Sequence, residues 1–429
     1  MNPSRYQATV LTVCLVSLAL VGSLATLAAA APVTLRFQSW RLADPVSGPL
    51  YMKWIAEYQQ LHPNVRIEPE PVPHAQRLEK FIAQVLAGDP PDVVGLTTGD
   101  VVQFAALGQV ENLDRFYQAE GPEFIRSFTP VTLALSEHEG SYYALSHEVV
   151  TTDGMWYNVD LLAKAGLDPE EALSTWDAFV AASKKLTGAG TYAMALRGKD
   201  TTGSMANLWS FLSQLSGPLV TEDDIRKNLD SPGALKVFKE YVELYTVHKV
   251  TPNPLDIDFT AMSTLFAQGR TAFMHNGSWM KPIIEQQNPA MKGRFLPYSI
   301  PTFAGGNRIA LADGMAFMIG KGSRHASEAW EFMKFMVSRK KQMENLEVAG
   351  FLPSLTELAG ADRILNDPYL AVFARELAER GVPRPRTAKL NEIWTEVQQA
   401  FQAVLLGQKT PEEALRSAAN RIRSDILRP

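Results

Sequence analysis

The sequence predicts an α/β protein of more than one domain, and three observations predict it. After residue 31 the strand and helix patterns alternate in the order β-α-β-α-β, which implies a parallel sheet with helices on its faces. The chain has 429 residues, enough for two to three domains. The stretch FAQGRTAFMHNGSW, residues 266–279, runs a buried strand into a glycine turn that presents an amide and an indole, the chemistry of a ligand-cleft wall.

The N-terminus comes first in the chain. Arg5, an apolar run over residues 10–28 and four alanines at 28–31 before Pro32 read as a signal peptide over residues 1–31. The apolar run exceeds the usual length, so an uncleaved anchor is the alternative. Cys14, the only cysteine, lies inside that run behind Val13 rather than behind a small residue. Lipidation at Cys14 and any disulfide are therefore not expected, and a core of this size needs none.

Residues 33–38 alternate Val33, Leu35 and Phe37 with Thr34, Arg36 and Gln38, a strand that ends in Ser39, Trp40 and Arg41. Leu50, Tyr51, Trp54, Ile55 and Tyr58 share a helix face that closes near His62 and Pro63. Residues 65–68 are a second strand. Leu78, Phe81, Ile82, Val85 and Leu86 form a second helical stripe stopped by Gly88, and residues 93–96 are a third strand. Such sheets bind ligands beyond the carboxyl ends of their strands, which puts residues 39–41 and 97–100 at the site. Ser174, Thr175 and Asp177 make a helix start close to a capping box. Residues 207–215 are helical and close at Gly217. Pro232 precedes a long amphipathic helix with Leu235, Phe238, Tyr241, Val242 and Tyr245. Thr260 is the expected N-cap of the helix that ends at Gly269, with Met262, Leu265 and Phe266 on its apolar face. Residues 295–301 are extended and stiffened by proline. Residues 316–319 are a strand, 323–337 a helix, and a helix pair follows Trp394, its second member capped by Thr410 with Pro411 at the first helical position.

A net charge of -5 without a long Lys/Arg block gives no sign of a nucleic-acid partner, and none is expected; 46% apolar residues fit an ordinary globular core. No H-E-x-x-H, G-x-S-x-G or Walker sequence occurs, and the seven histidines lack metal spacing, so neither catalytic residue nor metal nor cofactor is assigned.

Phe266, Gly269, Arg270, Ala272, Gly277 and Trp279 fit the pattern F-x-x-G-(K/R)-x-A-M-x-x-x-G-x-W, with Phe273 where Met is usual. The segments GQVENLD at 108–114, MWYNVD at 155–160, STWD at 174–177, the stretch from Asp313 and Gly314 into the helix with Ala329, and GFLP at 350–353 follow in matching order. Together these resemble the carbohydrate-type (family 1) extracellular solute-binding proteins of ABC importers, relatives of maltose-binding protein. The resemblance implies a two-lobed periplasmic-binding-protein-like α/β fold with chain crossings between the lobes and a ligand cleft at the interface. Lobe one would take 32–147 plus 302–340, and lobe two 148–301 plus 341–429. It implies a sugar or related polyol ligand bound by hinge closure, importer permease subunits as partners, an exported monomer, and no enzyme activity.

A sugar needs aromatics to stack on and polar groups for its hydroxyls. Trp40 and Trp279 are the stacking candidates, with Trp209 behind them; Trp54, Trp156, Trp176 and Trp330 read as core, and Trp394 is undecided. Arg41, Thr98 and Asp100 stand at strand tips, Thr152 and Asp153 at the first crossing, Asn276 beside Gly277, and Asp313 with Gly314 near the second crossing. Phe351 and Arg386 fall where the family often contacts ligand. An exported carbohydrate-active enzyme using a cleft carboxylate such as Asp100 or Asp313 is the alternative reading, and a membrane-tethered sensor a third. The ligand stays open among saccharides, polyols and glycerol phosphodiesters; a charged ligand through Arg41 and Arg386 is among the options.

Overall fold

The computed structural model describes residues 32–428. The expectations for the leader, its cleavage and Cys14 fall outside them. The strands used below are β1 (Val33–Ser39), β2 (Val65–Pro71), β3 (Val93–Thr97), β4 (Leu145–Ser146), β5 (Glu148–Thr151), β6 (Gly154–Asn158), β7 (Tyr192–Met194), β8 (Thr271–His275), β9 (Phe295–Ser299), β10 (Ala310–Asp313), β11 (Met315–Ile319), β12 (Leu352–Pro353) and β13 (Gly381–Pro383). The helices are α1 (Ser47–Leu61), α2 (Arg77–Leu86), α3 (Trp176–Leu186), α4 (Thr201–Ser216), α5 (Pro232–Thr246), α6 (Phe259–Ala267), α7 (Ala326–Met336), α8 (Arg339–Ala349), α9 (Ala371–Arg380), α10 (Leu390–Leu405) and α11 (Pro411–Arg421).

The N-terminal β-α-β-α-β segment forms the parallel part of a sheet ordered β2-β1-β3-β11-β4, with β11 antiparallel to β3. Alternation along β1 sends Leu35 and Phe37 to one face, where they pack with Tyr51, Trp54, Phe317 and Trp330. Val94 and Leu96 on β3 turn to the other face, against Phe81 and Phe104. The second lobe is built on a sheet ordered β9-β6-β8-β7. One of its faces carries Phe179, Phe211, Phe238 and Phe401, the other Trp156, Phe266, Phe295 and Phe373.

A third sheet, ordered β12-β5-β10-β13, joins the lobes. It collects the passages of the chain between them: β5 on the first, β10 on the second, β12 and β13 on the third. These strands have two to four residues each, too short to show a period in the sequence.

Helix starts follow cap chemistry. Thr175 accepts from the Ala178 N–H, and Thr410 forms a full capping box with Glu413 ahead of Pro411. At α6 the cap is Asp258, which accepts from the Ala261 N–H at 2.9 Å, so the expected cap Thr260 lies inside the first turn. A carboxylate there also meets the positive end of the helix dipole. Helix α4 begins at Thr201, earlier than the apolar stripe from 207 suggests. Trp54, Trp156, Trp176 and Trp330 are buried, as their registers require, and Trp394 joins them. Helix α8 lies on α1: Lys341 is paired with Glu57, and Trp54 Nε1 donates to Glu344 at 2.6 Å. The helix thus sits with first-lobe elements, whereas the sequence reading puts 341–429 in the second lobe. Among the described residues no helix is long and apolar enough to cross a membrane.

Candidate functional site

The strand tips of the first lobe meet the crossing sheet. Beyond β1, Ser39 caps a short turn that carries Trp40 and Arg41. Beyond β3, Asp100 Oδ2 accepts from the Thr97 N–H at 3.1 Å and its hydroxyl at 2.9 Å, and lies 3.4 Å from Arg77 Nε. Asp313, at the end of β10, ties this tip to the third passage. Its Oδ1 accepts from Thr98 Oγ1 at 2.6 Å and the Gly99 N–H at 3.3 Å, and its Oδ2 is 2.9 Å from Arg384. Gly314 O accepts from the Thr98 N–H at 2.9 Å; a Cβ on Gly314 would lie 2.4 Å from the Glu148 carbonyl oxygen, so the two passages touch backbone to backbone.

A stack of planar groups runs from one lobe to the other. The Arg41 guanidinium lies 4.1 Å from the Trp40 ring centroid and 3.8 Å from that of Phe351, and Phe351 stacks on Trp279 at 5.8 Å. Trp40 and Trp279 are both half-buried. The turn under Trp279 is tightly held. Trp156 Nε1 donates to Gly277 O at 3.0 Å, Asn276 Oδ1 accepts from the Gly277 N–H at 2.8 Å, and Ser278 Oγ donates to Gly350 O at 2.6 Å. A Cβ on Gly277 would stand 2.0 Å from the Trp279 ring and 2.6 Å from the Thr151 carbonyl oxygen. The glycine is there because the indole folds back over its α-carbon.

Behind the stack lies a buried ionic network. Arg41 pairs with Glu148 on β5, Asn345 donates to Glu148 Oε2 at 2.7 Å, and Tyr51 Oη is 2.9 Å from His147 Nε2. Burial pushes the His147 imidazole down to about 4, with Glu148 opposing and Arg41 adding to the shift. Burial pushes the Tyr51 hydroxyl well above its usual range, with Glu148 adding. The imidazole is therefore neutral and the phenol protonated at neutral pH. On the second lobe, Asp153 Oδ2 accepts from the Leu311 N–H at 2.6 Å and Thr151 Oγ1 at 3.1 Å, and its Oδ1 is 3.5 Å from His275 Nε2. Asn207, on α4, donates to His275 O at 3.0 Å. Thr152 is buried in the turn between β5 and β6.

The structure thus brings together Trp40, Arg41, Thr98, Asp100, Asp313, Gly314 and Phe351, and places Asn276, Gly277 and Trp279 at the far end of the same stack. Thr152 and Asp153 occupy the hinge turn beside them. Two residues expected at the ligand are elsewhere. Trp209 is 0% exposed and its indole N–H donates to Leu219 O at 3.1 Å, because it lies on the buried stripe of α4 with Leu208 and Leu212. Arg386 donates to the carbonyls of Ala134 and Glu137, at the C-terminal end of the helix Pro130–Ser136, where a cation satisfies free carbonyls and meets the negative end of the dipole. Its neighbour Arg384 pairs with Asp313 instead. Arg77, Glu148, Arg384 and Asn345 were not legible: each acts through a partner distant in sequence, 107 positions away for Arg41 and Glu148. No group of three or more His, Cys, Asp or Glu among the described residues could hold a metal ion.

Comparison with known proteins gives the same outline. A family model described as bacterial extracellular solute-binding protein matches residues 43–343. A putative binding protein of Brucella abortus (strain 2308) is 25% identical over 379 residues, 87% of this chain and 89% of the relative. An ABC transporter solute-binding protein of Thermotoga lettingae bound with α-D-tagatose shares the fold with a TM-score of 0.82 at 24% identity, over 91% of this chain and 98% of that one. Maltose-bound MalE3 of T. maritima has a TM-score of 0.78 at 25% identity, over 91% and 99% of the two chains.

Proposed function

The chain belongs to the bacterial extracellular solute-binding proteins, and from that membership we propose that it is the capturing component of an ABC importer, closing its lobes on a sugar or related polyol and passing it to permease subunits. The observation that carries this reading is the stack Trp40–Arg41–Phe351–Trp279, which ends in a half-buried indole on each side. A half-buried indole suits the apolar face of a sugar ring, and the surrounding side chains supply the polar partners. The passages between the lobes run through strands of a few residues, the element-terminal positions at which hinge closure is absorbed. Export, and work as a monomer outside the cytoplasm, belong to the same proposal. The enzyme alternative has less support. Asp313 has both carboxylate oxygens engaged by internal partners, and Asp100 is held by Thr97 and Arg77.

The test is a titration of the purified protein with saccharides, polyols and glycerol phosphodiesters, followed by tryptophan fluorescence and calorimetry. Saturable binding of one class, without turnover of the ligand, is the expected result. A folded protein that responds to no class, or that releases a product, would end the reading.

A further inference from the structure

His74 stands where the lobes meet. It follows the carboxyl end of β2, whose last residue, Pro71, is in register with Ser39 at the end of β1. That puts it at the same strand tips as Trp40 and Arg41, on the side where open parallel sheets take their ligands. It opens a short turn, His74–Gln76, ahead of α2. Its carbonyl accepts from Arg77 Nη1 at 3.1 Å, and its ring meets Trp40 edge-on at 4.8 Å. These contacts fix the backbone and the ring plane. They leave both ring nitrogens without a hydrogen-bond partner among the described residues.

The residue is exposed, yet the protein surrounds it. Its imidazole is held down to about 3, first by that enclosure and then by Arg77, Arg41, Arg384 and Arg197. A side chain on a convex surface is not enclosed in this way; one that is both exposed and surrounded lines a cleft. The cations come from both sides of it: Arg41 from the tip of β1, Arg77 from α2, Arg384 from the third passage and Arg197 from beyond β7 in the second lobe. Each is paired with its own carboxylate, Glu148, Asp100, Asp313 and Asp200 in turn. The imidazole is therefore neutral at neutral and mildly acidic pH, with one N–H to give and one lone pair to offer. Guanidiniums only donate, so His74 supplies an acceptor where they converge, and a hydroxyl, which donates and accepts, matches it. We propose that His74 contacts the guest from the first lobe, giving one hydrogen bond to its hydroxyls and taking one, and so decides which hydroxyl arrangement fits beside Trp40. This rests on the importer reading above and adds a specificity-determining residue to it.

Diethylpyrocarbonate attacks only an accessible, neutral imidazole, so it reads both properties in the free chain. An ordinary histidine loses about tenfold in neutral fraction between pH 7.5 and 5.5. His74, located by peptide mass, is expected to react at nearly the same rate at both, with N-acetylhistidine in the same tube as the ordinary case. Maltose, tagatose, ribitol and glycerol 3-phosphate then serve as guests, and a member that saturates the chain is expected to protect His74. His74→Phe keeps a ring against Trp40 and removes both nitrogens. It is expected to weaken that member about tenfold, the scale of a lost pair of neutral hydrogen bonds, whereas His74→Gln, which still gives and takes a bond, should lose less than about threefold. A His74 that the reagent does not reach, that slows with N-acetylhistidine at pH 5.5 or that stays reactive under a saturating member would overturn the assignment and leave the importer reading standing. So would a Phe variant that binds that member as the wild type does. Silence from these four and from the wider panel, in a folded protein, would overturn both.

Discussion

Replacing Glu148 by Gln tests whether the ionic network behind the stack holds the lobes in register. The Glu148 side chain is 1% exposed and that of Arg41 6%, so neither charge has water to fall back on. Glutamine keeps the volume and can still accept from Asn345, but it offers Arg41 a dipole in place of a charge. A guanidinium does not deprotonate in a protein, so the cation stays buried and uncompensated. Removing one partner of a buried pair costs about 3–5 kcal/mol, and that is the expected loss for Glu148→Gln. Arg41→Met removes the cation and also its contacts with Trp40 and Phe351, so it destabilises in its own right. The double variant should be more stable than the sum of the two singles implies, with a coupling of about 2–3 kcal/mol, at the upper end for residues in contact. The assay is urea unfolding followed by far-UV dichroism and tryptophan fluorescence on the same samples, so that non-coincident lobe transitions are seen. A single-variant loss below about 1 kcal/mol, or strict additivity in the double variant, would refute the reasoning.

Three further outcomes follow from the same geometry. Gly277→Ala forces the Trp279 ring off its seat while the Thr151 carbonyl cannot yield, so a loss of about 1–3 kcal/mol is expected together with weakened ligand response, read by unfolding and titration. His147, buried neutral with its folded value at about 4 against about 6.5 when unfolded, takes up its proton in the unfolded chain first. Its contribution is complete above about pH 6.5 and is lost as pH falls toward 4, at up to about 1.4 kcal/mol per pH unit; stability measured across that window should lose part of its slope in His147→Gln, and an unchanged slope would exclude the assignment. Phe351→Ala removes the central ring of the stack from a buried position and should cost about 3–5 kcal/mol and loosen Trp279, visible as a shift in tryptophan emission.

What the sequence by itself determined is local. Alternation in residues 33–38 and the stripe from Leu50 to Tyr58 fix β1 and α1, because side-chain period reports directly which face is buried. Thr175, Thr410 and Pro411 fix helix starts because capping acts within one turn. The strand, glycine and indole at 271–279 mark a cleft wall for the same reason: Gly277 and Trp279 are two positions apart and meet each other. Only the tertiary structure decided which polar residues share the site. Arg386 and Arg384 are alike in the sequence, yet one is spent on helix carbonyls and the other faces Asp313. Trp209 and Trp40 both read as indoles near element ends in the sequence, yet one lies mid-helix on a buried stripe and the other just beyond a strand tip. Arg41 finds Glu148 across 107 positions because the crossing sheet carries β5 beneath the tip of β1. Charge and hydrogen-bond partners are chosen by that juxtaposition, and neither composition nor period encodes it.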